Sequence, residues 1–275
     1  MIFIRSVLFI AVSSLLTIYF SSLGVVGLFL RAKPLTRHRW VTGWVPTMTW
    51  AVRHVLGIRY RVLGRENLPP GPAVILSKHQ SAWETIGLQQ IFPPLCFVLK
   101  RELLWVPFLG WGLASIPKIA IDRKGKEAMS QVIEQGRARL EEGLWVALFP
   151  EGTRVPPGVR GRYKPGGALL AKRAGVPVVP VAHNAGEFWR RNAFLKHPGE
   201  IIVSIGPAIE VKGIRTEEIN RRARDWIEEE MTRLFPHHFR ENETGQTRDG
   251  RTEEKAAGGG QAGDDRAGGK TAGGG

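Results

Sequence analysis

Apolar and polar positions divide this chain into three stretches. From Ser6 to Leu30 there are 25 residues without a charge, mixing Leu, Ile, Val and Phe with Ser and Gly. At about 1.5 Å per residue, a helix of that length crosses a hydrocarbon core of roughly 30 Å with some tilt. Residues 40–58 then place Trp40, Trp44, Trp50, Val52, Val55, Leu56 and Ile58 around Arg53 and His54. That pattern suits a helix at the membrane–water boundary, and equally an amphipathic helix covering a core. From near Gly57, short apolar runs alternate with helical periods. Ile58–Leu63, Ala73–Ser77, Cys96–Leu99, Ile119–Asp122, Leu144–Phe149, Val178–Ala182 and Ile201–Ile205 read as strands. Glu127–Glu142, Gly166–Ala174 and Thr216–Phe235 read as helices. Such alternation over roughly 180 residues predicts an α/β domain with a mainly parallel sheet flanked by helices. After Arg240 the apolar residues stop, and 11 of the 33 glycines fall in the last 35 residues. Such a segment buries too little to fold. The expected organisation is a membrane-anchoring helical segment over 1–56, an α/β domain over 57–240 and a disordered Gly-rich tail over 241–275.

Charge sharpens this picture. The net charge is +14, yet the tail from Glu241 holds five Lys/Arg against seven Asp/Glu, which leaves +16 on residues 1–240. A body this basic prefers an anionic partner: nucleic acid, a phospholipid surface or a phosphorylated substrate. Arg31, Lys33, Arg37 and Arg39 follow the apolar stretch, against Arg5 alone before it. The positive-inside rule then puts the bulk of the chain in the cytoplasm. A cleaved signal peptide fits poorly, because the stretch is long and no small-x-small site precedes the basic cluster. The single cysteine, Cys96, excludes an internal disulfide. No metal-binding pattern appears, and His237-His238, without ligands at a suitable spacing, reads as surface.

Candidate chemistry gathers where strands end. His79 leaves the strand Ala73–Ser77, and Glu84 follows five residues later near a helix start. A His beside a carboxylate is the usual general-base pair at neutral pH. Two plainer readings compete: a structural histidine, and a capping box in which Glu84 only reaches back to the Ser81 N–H. Phe149-Pro150-Glu151-Gly152-Thr153-Arg154 follows another buried strand and offers a close backbone turn, a hydroxyl and a guanidinium, a set suited to phosphate. Alone it would pass more readily for a salt-bridged loop. Lys100 and Arg123-Lys124 repeat the form at two further strand ends. Val176–Val181, bracketed by prolines, reads as a core or edge strand or as one wall of an apolar channel.

At these residues the chain resembles the glycerolipid acyltransferases, in particular the bacterial 1-acylglycerol-3-phosphate acyltransferases. The family's His-x4-Asp box is similar to His79…Glu84, with Glu where Asp is usual. Its glycerophosphate-binding block is similar to Lys100…Ile121-Asp122-Arg123. The Phe-Pro-Glu-Gly-Thr-Arg box stands verbatim at Phe149–Arg154, about 70 residues after His79, and the apolar-proline block is similar to Val176–Pro180. The likeness covers roughly residues 57–210.

The resemblance implies an enzyme that moves an acyl chain from a thioester, acyl-CoA or acyl carrier protein, to the sn-2 hydroxyl of lysophosphatidic acid. The product is phosphatidic acid, for phospholipid biosynthesis. It assigns His79 as base and Glu84 as its orienting partner, with Arg123, Arg154 and Lys100 on the phosphate. Glu151, Gly152 and Thr153 shape the acceptor site, and Ser81 is a helix cap. No cofactor beyond the thioester co-substrate, no metal and no nucleic acid is implied. A phospholipid membrane is, through a spanning helix or a two-helix motif dipping into one leaflet. Rival readings are another acceptor, such as glycerol 3-phosphate, and a non-catalytic binder of anionic lipid. A nucleic-acid binder would want aromatics interleaved with the basic residues. Here most Trp residues sit in the N-terminal region or in apolar runs.

Overall fold

The computed structural model describes residues 1–92, 94–122 and 127–239. Arg123 and the tail expected over 241–275 lie outside them. Helix α1 (Ile2–Phe29) is followed by α2 (Pro34–Thr42) and α3 (Trp44–Ala51), which continues into a wide helical turn at Val52–Leu56. Gly57, at φ 74°, ends that turn and releases the chain into β1 (Ile58–Leu63). Then come β2 (Val74–Ser77), α4 (Glu84–Ile91), β3 (Leu95–Lys100), α5 (Leu109–Ala114) and β4 (Ile119–Ile121). The second half holds α6 (Ala128–Glu141), β5 (Trp145–Leu148), α7 (Gly166–Ala174), β6 (Val178–His183), α8 (Ala185–Phe188), β7 (Gly199–Ile205) and α9 (Thr216–Leu234).

Among the described residues the strands form a seven-stranded sheet in the order β1-β7-β6-β2-β5-β3-β4. Every pairing is parallel except β6 with β7. Side chains alternate across a strand, and β2 shows the consequence. Ile75 enters a core layer with Leu56, Trp83 and Leu88, while Val74 and Leu76 enter another with Val132, Leu170 and Ile219. The first layer lies under α3 and α4, the second under α6, α7 and α9. With both faces covered, the central strands read as continuous apolar runs. β6 is buried along its whole length between β2 and β7, so Val178–Val181 of the apolar-proline run lies in a core strand, with Val176 and Pro177 half-buried just before it.

The N-terminal region departs from a simple projecting anchor. α1 is long and apolar enough to cross a membrane, and most of its surface is exposed. One side nevertheless lies along the domain. Phe9 meets the Trp189 ring edge-on at 5.3 Å, and Ser6 Oγ accepts the Lys196 N–H at 3.1 Å. Of the two readings for residues 40–58, the core-covering one describes α3, which buries Val45, Met48 and Ala51; Trp50 on the same helix stays exposed.

Candidate active site

Parallel pairing decides what meets what. In register, Leu76 lies beside Leu148, Phe97 beside Ala147, and Lys100 beside Ile121. The carboxyl ends of β2, β5, β3 and β4 therefore form one row, although they are far apart in the chain. In open α/β sheets that edge is where ligands bind. The row carries His79, Phe149–Arg154, Lys100 and the Asp122 end of β4.

His79 sits two residues past β2 with its side chain 14% exposed, and its ring stacks on Phe149 at 3.9 Å with a 12° tilt. Its Nδ1 is paired with Glu84 Oε2. The other oxygen, Oε1, accepts the backbone N–H of Gln80 (2.6 Å) and of Ser81. Ser81 Oγ in turn accepts the Trp83 N–H at 3.1 Å. Glu84 thus holds the turn before α4 and the imidazole at once, and its extra methylene over Asp still lets it reach Nδ1. The Glu84 side chain is 0% exposed. Burial pushes its carboxyl up to about 7, against the opposing pull of the Gln80 and Ser81 N–H groups.

Glu151 is buried beside this pair. Its Oε2 accepts the His79 backbone N–H at 2.8 Å, and His79 O accepts the Val155 N–H at 2.8 Å, so the two strand ends are laced together. Glu151 Oε1 is 2.7 Å from Lys78 Nζ. Lys78, in phase with Leu76, points to the α9 side of the sheet. It is only 2% exposed, and it also pairs with Glu228 of α9 at 2.8 Å and donates to Val159 O at 3.1 Å. Tyr163 OH completes the group by donating to Glu228 at 3.0 Å. Burial lifts the Glu151 carboxyl above its ordinary range, with Lys78 pulling the other way.

Gly152 turns at φ 72°, and a Cβ there would stand 3.0 Å from Lys164 Nζ. The left-handed turn favours glycine, and it brings the backbone close to a cation, Lys164, that sequence reasoning missed. Gly152, Lys164 and His79 line a cavity of about 380 Å³ whose other walls include Val98, Ile121, Met129, Val132 and Leu148. Thr153 is exposed and Arg154 half-buried, near enough for its charge to bear on Glu84. Lys100 is exposed on the same edge without lining this cavity. A larger cavity of about 570 Å³ lies elsewhere, against β1 and Trp50, away from His79.

His183, also missed, is fully buried behind the pair. Its Nε2–H donates to Lys78 O (2.9 Å) and its Nδ1 accepts the Ala185 N–H (3.3 Å), the arrangement of a neutral ring. Burial lowers its pKa accordingly. The reading of His237-His238 as surface holds for His237, which is exposed, and needs correction for His238, which is buried; both Nε2 atoms lie on Glu187 Oε1. The sequence held no local signal for this, since Glu187 is about 50 residues upstream. These three side chains are grouped closely enough to hold a metal ion.

Comparison with known proteins places these residues in context. Residues 59–184 match the family model described as Acyltransferase. The chain is 50% identical over 205 residues to the 1-acyl-sn-glycerol-3-phosphate acyltransferase of Pseudomonas aeruginosa, covering 73% of this chain and 80% of that one. It is 31% identical over 188 residues to the human 1-acyl-sn-glycerol-3-phosphate acyltransferase alpha, covering 67% of this chain and 66% of the relative. Its fold is similar to the crystal structure of the 1-acyl-sn-glycerophosphate (LPA) acyltransferase from Thermotoga maritima. The TM-score is 0.72 over 84% of this chain and 95% of that one, at 20% identity.

Proposed function

We propose that this chain, which belongs to the 1-acyl-sn-glycerol-3-phosphate acyltransferase family, moves an acyl chain from a thioester to the sn-2 hydroxyl of 1-acylglycerol 3-phosphate, forming phosphatidic acid. The observation that carries this reading is the His79–Glu84 pair on a mostly apolar cavity with Lys164 and Gly152 in its wall. An apolar wall suits an acyl chain. A cation beside a glycine turn suits a phosphate.

In the reaction, Glu84 holds Nδ1, so the acceptor hydroxyl gives its proton to His79 Nε2. The hydroxyl oxygen attacks the thioester carbonyl carbon, and the tetrahedral intermediate collapses by breaking the C–S bond. The leaving thiolate takes the proton back from the imidazolium, and an ester and a free thiol result. No acyl-enzyme is needed, and Ser81 keeps its structural place in the turn. A general base contributes about 10²–10⁴-fold in rate; positioning of both substrates supplies much of the rest. Arg154, Lys164 and Lys100, with Arg123, supply positive charge for the phosphate. Glu151 holds the His79 backbone from the β5 side.

The thioester carrier is coenzyme A or acyl carrier protein, and the reaction requires no other cofactor. The lysolipid and the product reside in a bilayer, which gives α1 and the basic body their purpose: the domain over 57–240 sits on the inner membrane, facing the cytoplasm. Contacts with the domain along one side of α1 favour a helix lying in one leaflet over a free-standing span.

The test is acyl transfer by the purified chain in lipid, with lysophosphatidic acid set against glycerol 3-phosphate and other lysophospholipids. Phosphatidic acid as the dominant product is expected. A preference for another acceptor would reassign the substrate, and binding of anionic lipid without transfer to any acceptor would leave only a lipid-binding protein.

A further inference from the structure

The segment between β3 and β4 exposes apolar side chains that nothing in the described fold covers. Leu103, Trp105, Val106, Phe108, Leu109 and Trp111 are all exposed within nine residues, Trp105 at 85% and Trp111 at 49%. Scattered exposed leucines need no explanation, but a contiguous large apolar patch marks an interaction site.

The segment is built rather than loose. Phe108 is held at φ 61°, a backbone region costly for a bulky residue, and its ring packs at 4.9 Å from Trp111. A Cβ at Gly110 would stand 2.2 Å from Leu104 O. The helix that follows, α5, is seated on the C-terminal half of α1 through small residues. A Cβ at Gly112 would meet Ser21 Oγ at 2.6 Å, and one at Gly24 would meet Ser115 Oγ at 2.4 Å. Glycine and serine at such contacts let backbones approach closely where hydrophobic burial cannot drive association, as between helices in lipid.

What covers the patch follows from this seating. Its neighbour α1 is itself an apolar helix with an exposed apolar face, so both partners of this contact present apolar side chains outward. Exposed Lys100 and Arg101 stand at the entrance to the segment, as expected beside anionic headgroups. Tight 3₁₀ backbone at Arg101–Trp105 rules out the hydrocarbon centre, where lipid-exposed irregular backbone goes unsatisfied. The headgroup–acyl boundary suits it, with Trp rings at the depth they prefer.

We propose that residues 103–111 are a second membrane-seated element, entering that boundary beside α1 with a phospholipid bilayer as partner. The segment leaves the carboxyl end of β3, in the row that holds His79, so its seating brings the bilayer to the edge of the sheet where the acceptor is used. This last step rests on the acyltransferase reading; the membrane contact does not.

The test uses the full chain with Cys96→Ser, carrying a polarity-sensitive fluorophore at Trp105→Cys or, separately, at Leu109→Cys. Arg173→Cys on the outer face of α7 is the control. In phosphatidylethanolamine–phosphatidylglycerol vesicles with nitroxide-labelled acyl chains, the probes at 105 and 109 should blue-shift and be quenched, and the control should not. Quenching of both by aqueous iodide, with none by the nitroxides, would overturn the proposal. In parallel, Trp105→Glu and Leu109→Glu should raise the apparent KM for bilayer-presented lysophosphatidic acid by at least about threefold, leaving kcat and the KM for a monomeric short-chain acceptor unchanged. An unchanged KM in bilayers would count against delivery of the acceptor by this segment. A wild-type chain inactive on lysophosphatidic acid would sink the substrate reading while leaving the quenching result to stand by itself.

Discussion

Glu84 gives one carboxylate oxygen to His79 Nδ1 and the other to the backbone N–H groups of Gln80 and Ser81. A carboxylate accepts on both sides; an amide cannot. In Glu84→Gln the side-chain oxygen must stay on the backbone donors, which turns the NH2 toward His79. Nδ1 then has to accept, the ring proton moves to Nε2, and the base is lost. The expected result is a fall in kcat of about 10²–10⁴-fold, with the turn and the thermal midpoint nearly intact. A large loss of stability with kcat unchanged would show that Glu84 only caps the turn.

The same burial sets a pH dependence. Glu84 rises from its ordinary 4.5 to about 7, so the folded chain holds this proton more tightly than the unfolded one. Its contribution to folding is therefore complete below about 4.5 and is withdrawn as pH rises toward 7. Catalysis needs the opposite state, the carboxylate that steadies the imidazolium. kcat/KM should climb with pH through an apparent value near 7 that belongs to the His79–Glu84 pair. The climb should be absent in Glu84→Gln. A wild-type profile flat from pH 5.5 to 8.5 would contradict this.

Lys78 is the buried cation between Glu151 and Glu228. Replacing it by Met leaves two carboxylates facing each other out of water, a change that typically costs about 3–5 kcal/mol. Thermal denaturation should shift down by roughly 10 °C. Glu151 would be displaced from the His79 N–H as well, so kcat should fall even where the variant remains folded. Full activity and an unshifted midpoint would show the network to be dispensable.

Gly152 occupies a left-handed turn with Lys164 close behind it. Gly152→Ala should strain the turn by about 1 kcal/mol and push Lys164 aside, raising the KM for the phosphate-bearing acceptor more than it lowers kcat. Lys164→Met should raise that KM by about tenfold through the lost charge-assisted contact. An equal loss with a phosphate-free lysolipid would move Lys164 out of phosphate recognition.

Much of this was legible in the chain because its strands are buried on both faces and its punctuation is strong. β1 and α7 lie on the residues their patterns predict, and β2, β3 and β5 within a residue or two. The strand ends were legible as places, but their adjacency was not. That β5 lies between β2 and β3 is a fact of sheet order, and it is what brings Glu151 to the His79 backbone. Lys78 stood next to His79 in plain view, yet its partner Glu228 is 150 residues away and no local pattern links them. α5 was invisible for the opposite reason: two glycines in six residues argue against a helix, and its packing on α1 overrides them. Arg123, the remaining cation of the glycerophosphate-like block, lies outside the described residues.

The most direct test of the central claim is acyl transfer to lysophosphatidic acid by His79→Ala beside wild type, both in membranes and with matched protein levels. The His79–Glu84 base predicts phosphatidic acid from wild type and a rate at least about 10²-fold lower in the variant, with lysolipid binding preserved. Transfer surviving His79→Ala at near wild-type rate would contradict the mechanism at its base.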